Sequence, residues 1–447
     1  MIPPPIPHTQ PGPPPSNGAQ PIALLSLFTG IGTDRFAMHE LLGRAPDLCL
    51  VSAASVESDP ALAQATEDTW RRTACEVGLD FLAKDVWDLV QDDGRRLKAF
   101  CAGLPIGTIV LVVAGSPCQD LTYAGVADGP GRRIRAGLCG RASSAFWAVP
   151  LICHRLAAFR PDLRVEVVVE NAGSMEASQK TLVCRALNIP PAQAAHIDTD
   201  VWSHYRRLRW FFSSLDPPGR RAPLARRPPP WDPGWARPLG ATAAMAPMMR
   251  SNPRAPDVAV PSAFQATPDG LLCHRDSDAS SLTVAELRKY VRVRLPETLR
   301  SAWDWLSSSK ISGSNVGIDD LAIWLVRSGP DIGVRPPNAR ERSRALGIEE
   351  YAAALELPDV VLYDATGNAF DGEAFLARVE GPLRRLGNGP RANPERWLPP
   401  REVFQLWHDA RRERTAAGAD PAFLPEPEAL CGPQANLHAA QAAAPAN

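Results

Sequence analysis

Five consecutive aliphatic or small residues, Val110 to Ala114, run directly into Gly-Ser-Pro-Cys at 115–118 and constrain the fold more than any other stretch. An unbroken apolar run of this length, closed by a glycine, predicts a strand buried on both faces, as in parallel sheets covered by helices. Parallel neighbours need crossover connections, and the chain supplies them. Ala23 to Leu27 and Leu48 to Val56 are further apolar strands, each followed by a helix-patterned segment. The expectation is an open α/β sheet. In such sheets ligands gather beyond the carboxyl ends of the strands, and Cys118 lies just past one of those ends on a turn stiffened by Pro117. A lone buried cysteine is more often inert than reactive. The sequence around Cys118 therefore has to decide.

The chain of 447 residues, 45% hydrophobic, is long enough for two or three domains. No apolar run reaches membrane-spanning length, and the amino-terminal stretch lacks the charged-then-apolar pattern of a signal peptide. Nine cysteines, none within four residues of another, read as reduced thiols and argue against a zinc module or any other metal site. Net charge is only −1, so attraction to a polyanion must come from uneven distribution. Residues 129–145 carry Arg132, Arg133, Arg135 and Arg141 with no carboxylate, and residues 201–231 carry seven arginines against Asp216 alone. Both runs flank the Cys118 stretch, which favours contact with nucleic acid over a merely solvated surface.

Residues 1–21 hold nine prolines and no Asp, Glu, Lys or Arg, and are expected to be a disordered lead. Folded structure is expected from Pro21 or Ile22. The turn Phe28-Thr29-Gly30-Ile31-Gly32 between the first strand and helix lets backbone approach a ligand and aims helix N-terminal N–H groups at it. A dinucleotide fingerprint would need a third glycine where Arg35 stands, which weakens a nicotinamide reading. Glu57, closing the second strand, is placed to accept from ribose hydroxyls, and Asp85 from an adenine amino group. Ser143 to Phe159 is expected to be a helix kinked at Pro150, and Val165 to Val169 a buried strand ending in Glu170-Asn171 over the same crevice as Cys118. Ala194 to Val201 and Arg209 to Ser214 read as strands, with Arg207 and Arg209 on one face. Residues 216–340 read as a small loop-rich domain. Helix is expected to return over 341–357, then a short strand at 360–363, a helix to about Leu386, a linker, a charged helix over 401–417 and a disordered tail.

In this order the pieces resemble the DNA cytosine-5 methyltransferase family over about residues 22–386, and its de novo animal type more closely than the bacterial enzymes. They are Leu-Phe-Thr-Gly-Ile-Gly, Ser-Val-Glu-Ser-Asp at 55–59, Lys-Asp-Val at 84–86, Gly-Ser-Pro-Cys, Gly-Arg at 140–141, Glu-Asn at 170–171, Arg-Leu-Arg-Trp-Phe at 207–211 and Gly-Asn-Ala-Phe at 367–370. The resemblance implies a Rossmann-like fold of S-adenosylmethionine-dependent methyltransferases, with a catalytic domain over 22–215 and 341–386 and target recognition over 216–340. It implies that Phe28, Thr29, Gly30, Ile31, Gly32, Thr33, Glu57, Asp85, Val86, Gly115, Asn368, Ala369 and Phe370 surround S-adenosylmethionine. Cys118 would be the nucleophile, Glu170 the acid on the base, and Arg207 with Arg209 its electrostatic support. Arg250 would read the guanine of CpG beside Asn252. The implied partner is double-stranded DNA, with a second copy or an accessory methyltransferase-like protein as a further one, and the implied compartment is the nucleus, or the cytoplasm of a bacterium. Trp210 to Phe212 read as a core strand, with an association surface as the alternative. Ala172 stands where the family carries valine, and Met248-Met249 where it carries threonines. A catalytically silent DNA-binding relative and an RNA cytosine methyltransferase are the competing readings.

Overall fold

A computed structural model describes residues 18–72, 77–92, 94–122, 135–197, 208–215, 241–243, 258–260, 264–266, 272–274, 324–328, 331–335, 343, 346, 348–358, 361–362, 365–366, 369, 371–386 and 396–419. The chain divides into two compact units, one comprising residues 1–196, 209–222 and 375–447, the other 197–208 and 223–374. The division cuts the stretch expected to return to the catalytic domain, 341–386, between Ala374 and Phe375.

The first unit opens with β1 (Gln20–Leu27), α1 (Thr33–Arg44), β2 (Leu48–Val56), α2 (Pro60–Arg72) and β3 (Leu79–Ala83). Two short helices, α3 (Asp88–Gln91) and α4 (Arg95–Ala102), lead to β4 (Ile109–Gly115). Then come 3₁₀ turns at Gly137–Cys139 and Ser143–Trp147, α5 (Ala148–Phe159), β5 (Arg164–Ala172), α6 (Ala177–Ala186), β6 (Ala194–Ile197) and β7 (Arg209–Ser213). The strands form one seven-stranded sheet in the order β3-β2-β1-β4-β5-β7-β6. β1 to β5 are parallel throughout, and β7 runs antiparallel to β5. This is a mostly parallel α/β sheet of Rossmann-like type, wound outward in both directions from β1 and β4.

The reason lies in the central strands. Ile109 to Ala114, Val167 to Val169 and Ile22 to Leu25 are essentially inaccessible, so both sheet faces must be covered, and the crossover helices cover them. Trp147, Leu151, Ile152 and Leu156 pack in the same core. β5 runs through Glu170 and Asn171 to Ala172, three residues further than its apolar run, because the ladder to β7 continues as far as Ala172–Arg209. Pro150 does not kink a long helix as expected. It falls in the first turn of α5, where the missing N–H has no intrahelical partner to lose, and the preceding residues wind as 3₁₀.

In the second unit, β8 (Ala241–Ala243), β9 (Val258–Val260), β12 (Trp324–Ser328) and β13 (Asp331–Arg335) form a four-stranded sheet, and β10 (Phe264–Ala266) pairs with β11 (Leu272–His274). These three- to five-residue strands carry no apolar alternation long enough to see in sequence. Within the helix expected over 341–357, Ser343 and α7 (Glu349–Ala354) are helical, while Ile348 and residues 355–357 are not. The strand expected at 360–363 is also corrected. Val361 and Leu362 are helical, with Leu362 N–H donating to the Pro358 carbonyl. α8 (Gly372–Leu386) spans the division, and α9 (Pro400–Ala416) belongs to the first unit, its Val403, Phe404, Leu406, Trp407 and Ala410 buried in the main core.

Candidate functional site

Four loops leave the carboxyl edge of the sheet side by side. Leu27 pairs with Val56 on one flank and Ala114 on the other, while Gly115 pairs with Glu170. The segments after β1, β2, β4 and β5 therefore emerge at one level. The winding reverses between β1 and β4, and a crevice opens at such a switch point. The glycine turn borders it on one side and the Cys118 turn on the other.

The glycine turn is tightly wound. Phe28, Gly30 and Gly32 all take left-handed backbone, with φ of 57°, 55° and 73°. Phe28 does so without glycine's freedom, a strain of the kind held at ligand sites. Thr29 N–H donates to the Val56 carbonyl, and its hydroxyl to Ser26. Glu57, buried beside it, accepts from Gly30 N–H at 2.5 Å and Asp59 N–H at 2.9 Å. Among the described residues nothing lies within 4 Å of where a Gly30 side chain would begin. Ile31 and Thr33 are buried, as are Asp34 and Arg35, and burial pushes the Asp34 carboxyl up against the downward pull of Arg35. Asp85 is exposed after β3, its carboxylate capping Trp87 N–H. Val86 is buried in the core, so only its backbone is left to meet a ligand.

On the other side, Asn171 Nδ2 donates to Ser116 Oγ at 2.9 Å and to the Ser116 carbonyl at 3.2 Å. That pair locks the end of β5 to the first residue beyond β4. The Cys118 carbonyl accepts from Leu121 and Thr122 N–H groups, closing a tight turn. Two residues on, Asp120 Oδ2 accepts from Ala142 and Ser143 N–H groups at 2.9 Å each. Cys118 itself is half-buried, unlike Cys101, Cys139, Cys153 and Cys184, which are buried. Burial pushes Cys101 up to about 12 and Cys139 and Cys184 up to about 11, so these three stay thiols at neutral pH.

Glu170 is buried, and Arg209 Nε lies 2.7 Å from its Oε1. Antiparallel β7 produces this pairing. Arg209 sits opposite Ala172, two residues beyond Glu170 on β5, so both side chains reach the same edge of the sheet. Trp210 is stacked on His196, with Lys180 over its ring, and Phe211 and Phe212 are buried. Phe211 and Phe212 thus belong to the core strand, and Trp210 packs half-buried against it.

Arg135 is corrected as a phosphate contact. Its side chain is only 8% exposed, its guanidinium pairs with Glu176 at 3.0 Å, and its Nη1 donates to the Leu121 and Ser174 carbonyls. Arg141 is exposed. Ala369 is buried within its own unit. Arg132, Arg133, Arg207, Arg250, Asn252, Asn368 and Phe370 lie outside the described residues. Ser116, Asn171, Asp120 and Glu176 were not singled out individually from sequence. Ser116 and Asn171 stand only inside the Gly-Ser-Pro-Cys and Glu-Asn motifs, and Asp120 and Glu176 have no signal, since hydrogen-bond partners far apart in sequence leave no local pattern.

Among the described residues no helix is long and apolar enough to cross a membrane, and no cluster of His, Cys, Asp or Glu is arranged to hold a metal ion. No protein-family model matches the chain, and no curated protein is significantly similar to it.

Proposed function

We propose that the chain is a DNA cytosine-5 methyltransferase that acts on a base extruded from duplex DNA, with Cys118 as nucleophile. The observation that carries this reading is the convergence, at one sheet edge, of a half-buried thiol turn, a buried Glu170–Arg209 pair and a left-handed glycine turn bearing an acid. The ordered motifs of the sequence supply the family; the shared edge supplies a reason for their order.

The glycine turn fits a nucleoside cofactor. Phe28 to Thr33 bring a tight left-handed turn with open space at Gly30, and Glu57 and Asp85 bring acceptors for ribose hydroxyls and an adenine amino group. Val86 and Gly115 would line it, with Asn368, Ala369 and Phe370 proposed from the resemblance alone. When bound, S-adenosylmethionine supplies an electrophilic methyl group on a sulfonium.

Cytosine carbon 5 is too weak a nucleophile to take that methyl directly. Cys118 thiolate adds to carbon 6, forming a C–S bond, and the displaced π electrons make carbon 5 enamine-like. The Glu170 carboxyl, held at ring nitrogen 3, and Arg209 with Arg207 at the ring oxygen stabilise the charge that builds on the ring. After methylation a base takes the carbon 5 proton and the C–S electron pair returns to Cys118. Because a duplex hides both carbons, the base must be flipped out. Exposed Arg141, with Arg132 and Arg133, would hold phosphates, while Arg250 beside Asn252 would read guanine bidentately in CpG.

The test is bisulfite sequencing of a random-sequence duplex incubated with the pure full chain and S-adenosylmethionine. Conversion-resistant cytosines should appear with the wild type and vanish with Cys118→Ser. Wild-type-rate methylation by that variant refutes the covalent route.

A further inference from the structure

The C-terminal helix α9 lies outside the span of the methyltransferase resemblance, yet it reaches the thiol turn through an unbroken chain of polar contacts. Arg414, near its end, donates to Glu176 Oε2 at 2.6 Å, and Arg135 pairs with Glu176 Oε1 at 3.0 Å. One carboxylate is thus shared between two arginines that are only 8% and 12% exposed. Arg135 Nη1 then donates to the Leu121 carbonyl at 2.6 Å and to the Ser174 carbonyl at 3.3 Å. Leu121 N–H, together with Thr122 N–H, closes the turn onto the Cys118 carbonyl, at 2.9 and 3.0 Å. Arg414 Nη1 also donates to the backbone carbonyl of Arg135 itself, at 3.2 Å.

The arginine pair therefore joins three pieces of chain: the end of the Cys118 turn, the segment that follows Glu170 and Asn171, and a helix distant in sequence. Attachment of the helix alone does not require this arrangement. Phe404, Leu406 and Trp407 already bury α9 in the core, so the ion pair is not what anchors the helix. What the pair adds is position. The rigidly packed helix fixes where Arg414 stands, and Arg414 in turn fixes Glu176 and Arg135 against the carbonyl of Leu121.

We propose that Arg414 is a positioning residue for the nucleophile turn, acting through Glu176 and Arg135 to set where the Cys118 thiol stands relative to Glu170. The proposal rests on the methyltransferase reading for its catalytic consequence. Its structural half stands apart, since it concerns only the turn that bears Cys118.

The experiment uses the full chain with Arg414→Gln, Arg414→Lys and Glu176→Gln, and with Arg412→Gln as a control on the exposed side of the same helix, paired with Asp409. Two readouts are taken on variants that melt as the wild type does. The first is iodoacetamide labelling of Cys118 relative to half-buried Cys49, resolved by peptide mass spectrometry without DNA or cofactor. The second is methyl transfer to duplex DNA. A thiol displaced by about 1 Å should lower kcat by about tenfold or more while KM for duplex changes less than about twofold. The expected result is that Arg414→Gln and Glu176→Gln show this split and alter Cys118 labelling severalfold, that Arg414→Lys restores part of both, and that Arg412→Gln matches the wild type. Unchanged Cys118 labelling in Arg414→Gln and Glu176→Gln overturns the proposal, whatever the activity. Absence of methylation by the wild type refutes the functional reading, and the labelling still decides the positioning. If Arg414→Gln fails to fold, Glu176→Gln and Arg414→Lys decide the outcome.

Discussion

Gly140 is the position where one methyl group should do most damage to the site. A Cβ built there would lie 2.1 Å from Asp120 Cγ and 2.4 Å from Oδ2, well inside van der Waals contact. The clash is purely steric, because Gly140 has φ −75° and ψ 162°, values that alanine adopts freely. Asp120 must therefore move, and its Oδ2 would lose hydrogen bonds from Ala142 and Ser143 N–H groups, 2.9 Å each. Bonds to a charged acceptor contribute ~1.5–3 kcal/mol each when well formed, and this carboxylate is partly exposed, so Gly140→Ala should cost about 2–4 kcal/mol. Chemical denaturation followed by tryptophan fluorescence gives the stability. A double-mutant cycle isolates the cause. In an Asp120→Ala background the carboxylate is gone and the extra methyl has room, so Gly140→Ala should then cost under about 1 kcal/mol. An equal cost in both backgrounds refutes the steric argument. Asp120 follows Cys118 by two residues, so, on the proposed function, the single variant should also slow methyl transfer more than its lost stability explains.

Two further outcomes follow from the same edge of the sheet. Glu57→Gln replaces the acceptor that holds Gly30 N–H at 2.5 Å, and the proposed S-adenosylmethionine binding, measured by calorimetry, should weaken about tenfold or more, while Asp59→Asn, on the exposed helix start, should change it less than about twofold. Burial pushes the Glu176 carboxyl up, but the hydrogen bond and charge of Arg414, with Arg135, outweigh it and hold the group below its ordinary 4.5. Its contribution to stability is therefore fully present above that value and is lost as pH falls through the depressed folded one. Melting temperature should fall more steeply below pH 4.5 in the wild type than in Glu176→Gln.

The parallel core was legible because a strand buried on both faces must be apolar at every position, and Val110 to Ala114 allow little else. The turns were legible for the opposite reason, since glycine and proline mark places where ordinary residues do not fit, as the left-handed Gly30 and Gly32 confirm. Boundaries were harder. Nothing in Glu170-Asn171-Ala172 announces a strand, and only pairing with β7 extends β5 through them. Pro150 suggested a kink because its place within the helix, first turn or middle, depends on where the preceding 3₁₀ turn ends.

The sequence by itself determined that an α/β sheet would form and which loops would meet at its carboxyl edge, because burial and turn chemistry are local properties of residue type. Only the tertiary structure decided which charges are spent inside the molecule. Arg135 sits in a basic run and was expected at a phosphate, yet it is held by Glu176 and Arg414, the latter 279 residues away. A charged side chain's partner is chosen by the fold, through contacts that no window along the chain contains.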